Sequence, residues 1–324
     1  MDSLKFSPPL KTNDILVLDG GFSTQLEKYV GDVSQDPLWT ARALVERPEA
    51  VQQVHRDFLE AGARVLLTAT YQASTEGFGR HLGLSQPDAL AAMARSVQLA
   101  QAAIDDCGKP RGHVLVGGSV GPYGACQHDG SEYTGAYLGA MTREALAAWH
   151  LPRVTALVQA GADFIAAETL PCWREALAVL DALVSAGGFT PAWTSFSLRD
   201  AQHLASGETI QEAVAQLRRH PLYSRGRLFA LGFNCCDPAV VRGAVEQVRQ
   251  VCRDLPVVVY PNSGERWDGA RHCWSGEPVE LTADQLGDWL RLGVVAVGGC
   301  CRVDDKMLAR LKSSLVKCLQ QSYG

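Results

Sequence analysis

Hydrophobic residues follow two alternating patterns along this chain. Short, almost wholly apolar runs predict buried strands, and the longer segments between them carry apolar residues every three or four positions, which predicts amphipathic helices. In 238–251, for example, Ala244, Val248 and Val251 recur at this spacing. The eight apolar runs span residues 15–21, 65–71, 113–121, 163–170, 191–198, 228–235, 256–263 and 294–301.

Eight successive strand and helix pairs predict a single (β/α)8 TIM barrel that takes in residues 1–324 as one domain. No linker rich in Pro, Gly or Ser divides the chain into two cores. An open, doubly wound sheet is the alternative, but its G-x-G-x-x-G loop is absent from the sequence "DGGFST" after the first run. The Ala-Gly-Ala steps at 61–63 and 160–162 precede the second and fourth runs and predict helices that end at a glycine.

The ends of the apolar runs carry most of the polar chemistry. In a barrel of this type the active site lies at the carboxyl ends of the strands, so residues that close different runs are expected to meet. The residues at these ends include Asp19, Thr70, Tyr71, Ser119, Glu168, Asn234, Cys235, Asn262, Cys300 and Cys301. The sequence therefore predicts a site on one rim of the barrel.

Three cysteines on this rim indicate a metal site. Cys235 closes the sixth run and Cys300 and Cys301 close the eighth, and three protein ligands with an open fourth position are typical of catalytic zinc. Regular alternation along a strand would point Cys300 and Cys301 apart. We expect Gly298 and Gly299 to turn the strand end so that both sulfurs face one point. Cysteines buried as small apolar residues, or a disulfide between Cys300 and Cys301, are the alternatives.

Composition narrows the setting of the protein. Ten cysteines in 324 residues are too few for a disulfide scaffold, which favours a reduced, cytoplasmic protein. The amino-terminal sequence lacks the apolar core of a signal peptide, and no apolar run approaches about 18 residues, so no membrane association is predicted. The 30 basic residues are scattered among 35 acidic ones, which argues against nucleic acid as a partner. A monomer is expected, with a dimer as the alternative.

Eight motifs spread over practically the whole chain resemble one family. They are "LDGGFSTQLE" at 18–27, "TATYQAS" at 68–74, "GSVGPYGA" at 118–125, "DGSEYTGAY" at 129–137, "AAETLP" at 166–171, "GFNC" at 232–235, "VVYPNSGE" at 258–265 and "GGCCR" at 298–302. In these motifs the chain is similar to the cobalamin-independent homocysteine S-methyltransferases. The "DGSEY" stretch resembles the branch that uses S-methylmethionine as the methyl donor.

The resemblance implies an enzyme that transfers a methyl group from S-methylmethionine, or more slowly from S-adenosylmethionine, to homocysteine, giving methionine. It implies Zn2+ bound by Cys235, Cys300 and Cys301, and recognition of the homocysteine ammonium by Asp19 and Glu168. Folate and cobalamin are not expected, because the related enzymes that use them carry additional domains. Betaine is not expected either, because the relatives that use it are longer and carry a C-terminal extension.

The chemistry of the substrates suggests further contacts. The amides of Gly20, Gly21 and Phe22 form a turn that leads into a helix, a favourable place for the homocysteine carboxylate. Aromatic faces and acids attract a sulfonium cation. Candidates for lining the donor are Tyr71, Tyr123, Glu132, Tyr133 and Trp173. Thr70, Ser119, Asn234 and Asn262 are the remaining predicted substrate contacts. Packing for the aromatic residues, a helix cap for Asp19 and a turn for Asn262 are the structural alternatives.

A second class of function fits the same cysteines. They would hold structural or stored zinc, or sense oxidants, in a barrel that binds a ligand without methyl transfer. A structural zinc site is closed by four protein ligands, and no fourth Cys or His stands at another strand end in the sequence. The pattern therefore favours the enzyme.

Overall fold

The computed structural model describes residues 15–110, 112–268 and 273–322. Its strands are β1 Leu16–Val17, β2 Val65–Leu67, β3 Leu115–Val120, β4 Phe164–Leu170, β5 Ala192–Phe196, β6 Leu228–Asn234, β7 Val257–Tyr260, β8 Arg266–Asp268, β9 Cys273–Ser275 and β10 Val294–Val297. Its α-helices are α1 Phe22–Val30, α2 Ala43–Glu46, α3 Pro48–Ala61, α4 Thr75–Leu82, α5 Gln86–Asp106, α6 Arg143–Gln159, α7 Trp173–Ser185, α8 Ile210–Arg219, α9 Pro221–Ser224, α10 Pro238–Val251, α11 Ala283–Arg291 and α12 Asp305–Ser322. Single turns of 3₁₀ helix lie at Trp39–Arg42, Tyr123–Gln127, Ser131–Tyr133 and Ala136–Gly139.

Eight of these strands form one parallel sheet in the order β1-β10-β7-β6-β5-β4-β3-β2. The first and second strands then meet, because the Asp19 amide donates to the Val65 carbonyl at 3.0 Å and the Arg64 amide to the Val17 carbonyl at 2.8 Å. The sheet thus forms a nearly closed ring with helices outside it, and the predicted barrel is confirmed. The open, doubly wound alternative is excluded.

The strands are shorter than the apolar runs that predicted them. The run at 15–21, for example, contains the two-residue strand β1, and the run at 256–263 contains β7. The residues beyond each strand have left the hydrogen-bonded ladder and form the rim loops, so apolar character alone overestimated strand length. The predicted helix at 238–251 is confirmed, and the predicted glycine stops hold at Gly62 and Gly161, with φ of 107° and 87°.

One pair of strands was not predicted from the sequence. The antiparallel pair β8 and β9 lies between β7 and α11, and three-residue strands are too short to show an alternating pattern.

Among the described residues, every helix is too short or too polar to cross a membrane.

Aromatic residues fill the inside of the barrel. Phe164 and Trp193 lie with ring centroids 4.4 Å apart, and Phe229 packs edge-on against both rings. These side chains are at most 5% exposed, and Val258 and Tyr260 continue the same cluster toward the rim. The interior of the barrel is therefore packed with side chains, and an active site is expected at the carboxyl ends of the strands.

Candidate metal and substrate site

The three predicted cysteines meet at this end of the barrel. Cys235 follows β6, and Cys300 and Cys301 follow β10. The Cys301 sulfur lies 3.7 Å from the Cys235 sulfur and 3.9 Å from the Cys300 sulfur. All three ligand atoms lie within 4.8 Å of one another. Cys235 and Cys300 are joined as a disulfide.

Two of the three sulfur pairs have the spacing of ligands around a metal ion. Around a tetrahedral ion with metal–sulfur bonds of about 2.3 Å, neighbouring sulfurs lie about 3.8 Å apart, which matches the 3.7 and 3.9 Å measured from Cys301. Burial raises the pKa of the Cys301 thiol to about 12. At neutral pH this thiol therefore ionises only beside a strong positive charge, which a metal ion supplies.

The prediction of a fully reduced protein does not hold for Cys235 and Cys300 in this structure. A convergence of thiols that suits a metal ion also brings two of the sulfurs within bonding distance. The disulfide joins Cys235 to Cys300, and the alternative disulfide between the adjacent Cys300 and Cys301 is not present. Because a coordinating cysteine is a thiolate, the disulfide and a metal-bound arrangement are alternative states of the same sulfurs. Of the other described cysteines, Cys107, Cys126, Cys172, Cys236, Cys252 and Cys301 form no disulfide.

Gly298 and Gly299 act differently from the prediction. Neither adopts the left-handed backbone conformation; that conformation occurs instead at Cys235, with φ of 48°, and at Arg302, with φ of 67°. The two glycines are needed for close packing, because an added Cβ would lie 2.5 Å from the Leu18 Cβ at the first and only 2.2 Å from a Val303 methyl at the second. The two glycines and the two cysteines after them all follow the end of β10. The alternation of side chains along a strand therefore does not apply to Cys300 and Cys301.

Two buried acids lie beside the cysteines. Asp19 is 3% and Glu168 is 7% exposed. An Asp19 oxygen accepts the Leu67 amide at 2.7 Å, and the Ser119 hydroxyl donates to Glu168. Burial raises the pKa of Glu168 to about 7, and burial with the nearby Glu168 charge raises the pKa of Asp19 well above its usual range. A cation bound between these carboxyls would relieve this cost.

A cavity at the carboxyl ends of the strands joins the acids to the cysteines. Three acids line it, and its described lining includes no Lys, Arg or His. The lining residues are Asp19, Gly20, Gly21, Phe22, Ser23, Trp39, Thr40, Leu67, Thr68, Ala69, Tyr71, Gln72, Ser119, Glu132, Tyr133, Glu168, Thr169, Asn234, Cys235, Tyr260, Gly299, Cys300 and Cys301. The cavity therefore suits ligands that bring positive charge.

The predicted anion turn is present in a modified form. Gly20, Gly21 and Phe22 line the cavity, but the Gly21 amide already donates to the Val303 carbonyl at 2.8 Å. No side chain caps the start of α1, and the first amides of a helix lack partners within the helix. The amides of Phe22 and Ser23 are therefore better placed than that of Gly21 to receive a carboxylate.

Glu132 and Tyr133 bring a third acid and an aromatic ring into the cavity. Glu132 is 8% exposed, and its Oε2 atom has no hydrogen-bond partner among the described residues. Burial raises the pKa of Glu132. Tyr133 is 39% exposed and lines the cavity together with Cys301. A buried carboxylate oxygen that lacks a hydrogen-bond partner at a cavity wall is a candidate for contact with a cationic ligand.

Four predicted contacts lie outside the cavity. Thr70 donates to the Ser119 carbonyl at 2.7 Å and lies behind the wall. Asn262 lines a separate small cavity together with Met307, so the structure does not bring it to the substrate. Tyr123 packs on neighbouring rings, and Trp173 begins α7. The other predicted substrate contacts all line the cavity. Their roles remain predictions.

Trp39 and Tyr260 also line the cavity, and neither was predicted from the sequence. The Trp39 indole donates to the His128 ring at 2.7 Å, which links two rim loops. Its backbone adopts φ of 45°, a conformation that costs about 1–3 kcal/mol in a non-glycine residue and concentrates at functional sites. Tyr260 lies 2.5 Å from the Ser195 hydroxyl. Trp39 lies in an irregular segment, so periodicity carried no signal for it.

Comparison with known proteins identifies the family. A family model described as homocysteine S-methyltransferase matches residues 16–315. The chain belongs to the homocysteine S-methyltransferase family. A solved structure of the Escherichia coli homocysteine methyltransferase MmuM in a metallated form is 40% identical, covers 93% of this chain and 96% of that one, and superposes with a TM-score of 0.80. An oxidized form of MmuM has the same identity and coverage and a TM-score of 0.79.

Methyl transfer to the thiol of homocysteine, which gives methionine, is the reaction of this family, and the enzyme's site suits a metal ion and cationic ligands. A Drosophila melanogaster protein named betaine-homocysteine S-methyltransferase is 42% identical over 90% of this chain and 91% of its own length. The expectation that betaine-using relatives are longer is therefore wrong for this one. Length does not decide the methyl donor.

Proposed function

We propose that this enzyme transfers a methyl group from S-methylmethionine to homocysteine, with a zinc ion held by Cys235, Cys300 and Cys301. The observation that carries the proposal is the cavity in which these sulfurs meet three buried acids without a basic side chain among the described lining residues. Zinc bound there would ionise the homocysteine thiol, which otherwise is only a few per cent thiolate at pH 7.

Charge balance favours S-methylmethionine over betaine. Homocysteine brings one ammonium, which we assign to Asp19 and Glu168. Glu132 then needs a positive charge from the donor. S-methylmethionine carries an ammonium, a sulfonium and a carboxylate and so has a net positive charge, whereas betaine carries one quaternary ammonium and one carboxylate and has no net charge. A cavity lined by three acids and by no described basic side chain favours the more positive donor. S-adenosylmethionine has the same two cations and adds a nucleoside, so we expect slower turnover.

The chain's own residues position two molecules for an in-line transfer. The acids and the first turn of α1 hold the amino-acid end of homocysteine, so that its sulfur points to the cysteines. The thiol releases its proton to solvent, the sulfur attacks the methyl carbon, and the bond from that carbon to the donor sulfonium breaks with its electron pair left on the donor sulfur. Both products are methionine. Holding the reacting atoms in line lowers the barrier by several kcal/mol, on the order of the effects measured for intramolecular reactions.

The donor is tested by measuring methionine formation with each candidate. Reduced, zinc-loaded enzyme is given homocysteine and equal concentrations of S-methylmethionine, S-adenosylmethionine or betaine. We expect S-methylmethionine to be fastest and to give two methionines for each donor consumed. The Glu132→Gln variant should lose most of this preference. Faster methionine formation from betaine would contradict the proposed donor.

The acid pair predicts a pH dependence for binding of the product methionine, which has no thiol proton. Because burial places the pKa of Glu168 near 7, the carboxyl must lose a proton before it can pair with an ammonium. Affinity should therefore rise by about tenfold from pH 6 to pH 8, the change in the ionised fraction of such a group. Calorimetric titration at several pH values measures it, and the Glu168→Gln variant should show a much flatter profile.

A further inference from the structure

The segment that carries Glu132 has little regular structure of its own. Residues 123–139 link β3 to α6 through three single 3₁₀ turns, Tyr123–Gln127, Ser131–Tyr133 and Ala136–Gly139. Such turns are short and weakly hydrogen bonded. The position of Glu132 at the cavity wall therefore depends on what the segment binds to.

Both ends of the segment are held by one carboxylate on the neighbouring helix. Glu175, in the first turn of α7, is fully buried. Its Oε1 atom accepts the Tyr123 amide at 2.7 Å, and the Tyr137 hydroxyl donates to its Oε2 atom. The His150 ring of α6 lies 3.1 Å from Oε1. Burial lowers the pKa of His150, so its neutral ring donates a hydrogen bond.

A buried arginine extends this network to two strand ends. Arg153 is 2% exposed, and its guanidinium donates to the carbonyls of Thr70 at 3.0 Å, Tyr71 at 2.7 Å and Gly121 at 3.1 Å. Its charge interacts with that of Glu175. The buried carboxylate thus has a counter-charge that is itself fixed to the walls of the cavity.

The network reaches Glu132 through direct packing. A Cβ on Gly124 would lie 2.6 Å from the Tyr137 ring and 2.7 Å from the Glu132 amide. The first 3₁₀ turn, the Tyr137 ring and the second turn are therefore in close contact. The Ser197 hydroxyl also donates to the Glu132 carbonyl at 3.1 Å. A shift of Tyr123 or Tyr137 would move Glu132 and Tyr133 with it.

We propose that Glu175 is a positioning residue for the donor half of the site: by holding Tyr123 and Tyr137 it fixes Glu132 and Tyr133 at the cavity wall. This inference rests on the proposed function, because it assigns Glu132 to the methyl donor. Glu175 lies outside the cavity lining and touches neither substrate in this assignment. Its effect should therefore fall on the donor and leave homocysteine binding unchanged.

The experiment compares Tyr137→Phe and Glu175→Gln with the parent enzyme. We expect the KM for S-methylmethionine to rise about tenfold in Tyr137→Phe, the size expected for losing one hydrogen bond to a charged group, while the Kd for homocysteine and the zinc content stay constant. Glu175→Gln should act in the same direction. If Glu175→Gln fails to fold, Tyr137→Phe alone decides. Equal losses for both substrates would overturn the proposal.

Two controls separate positioning from general destabilisation. Asp181→Asn alters another carboxylate of α7. Asp181 pairs at 2.6 Å with Arg143, the first residue of α6, rather than with Tyr123 or Tyr137, so this variant should leave the donor KM unchanged. In a double-mutant cycle, Tyr137→Phe should have a much smaller effect when Glu132 is already Gln; additive effects would contradict the proposal. If the parent enzyme used betaine instead, the proposed donor would fail, and the same variants measured with betaine would test Glu175 separately.

Discussion

Replacing Cys301 by serine is expected to lower the rate of methionine formation by at least about 100-fold and to remove most of the bound metal. Loss of groups that only orient metal ligands already costs about 10–100-fold, and loss of a ligand should cost more. Serine cannot compensate, because its hydroxyl does not ionise at neutral pH. Metal content and turnover are measured on protein that has first been reduced, since a sulfur in a disulfide is not a thiolate.

The adjacent thiol provides a matched control for this result. Cys236 is 4% exposed and belongs to the hydrophobic layer between sheet and helices. Cys236→Ser should keep its metal and most of its activity, whereas Cys235→Ser and Cys300→Ser should behave like Cys301→Ser. Zinc retained by all three ligand variants, or lost from Cys236→Ser, would contradict the assignment. Cobalt substitution adds a direct test, because its absorption spectrum should change when homocysteine is added.

Glu168→Ala is expected to weaken homocysteine binding by about 2–5 kcal/mol, or roughly 30-fold and more, the range for removing one partner of a buried charge pair. Zinc should remain bound, because Glu168 is not among the clustered ligands. Glu168→Gln should fall between, since its amide keeps a hydrogen bond to Ser119 and loses the charge. Calorimetric titration of the zinc-loaded variants with homocysteine measures both.

A carboxylate at the other end of the same strand region serves as the control. Asp163 directly precedes β4 and accepts the Val116 amide at 2.7 Å. Asp163→Asn keeps an acceptor there and should leave homocysteine affinity unchanged. An unchanged affinity in Glu168→Ala would remove this residue from the substrate site, and a matching loss in Asp163→Asn would point to a general effect on the barrel.

The barrel and the cysteine cluster could be predicted from the sequence. The barrel follows from the positions of the strands, and the cluster follows from the positions of their ends. Period and run length located the strands, and parallel strands in a barrel bring Cys235 and Cys301 to the same rim. Glu168 followed from the same reasoning. These residues needed no knowledge of loop conformation.

The remainder of the site depends on tertiary contacts that leave no periodic signal. The amide of Gly21 is occupied by Val303, 282 positions away (303 minus 21), which no local pattern reveals. Asn262 belongs to a strand-end motif, yet its loop turns toward another cavity. Glu175 sits at an ordinary helix start, where acids are common for local reasons. Only the fold shows that it reaches Tyr123 and Tyr137.

Asp19 follows β1, and Cys300 and Cys301 follow β10, so these site residues flank the pairing between the first and last strands of the barrel. The Gly299 amide donates to the Asp19 carbonyl at 3.0 Å, and the Leu18 amide to the Val297 carbonyl at 2.9 Å. These contacts join positions about 280 residues apart in sequence, and pairing over such a separation forms slowly because loop closure opposes it. The pocket is therefore complete only when the first and last strands of the barrel have paired. Without this pairing Asp19 would be separated from Cys300 and Cys301, and the site would lack one of its acids.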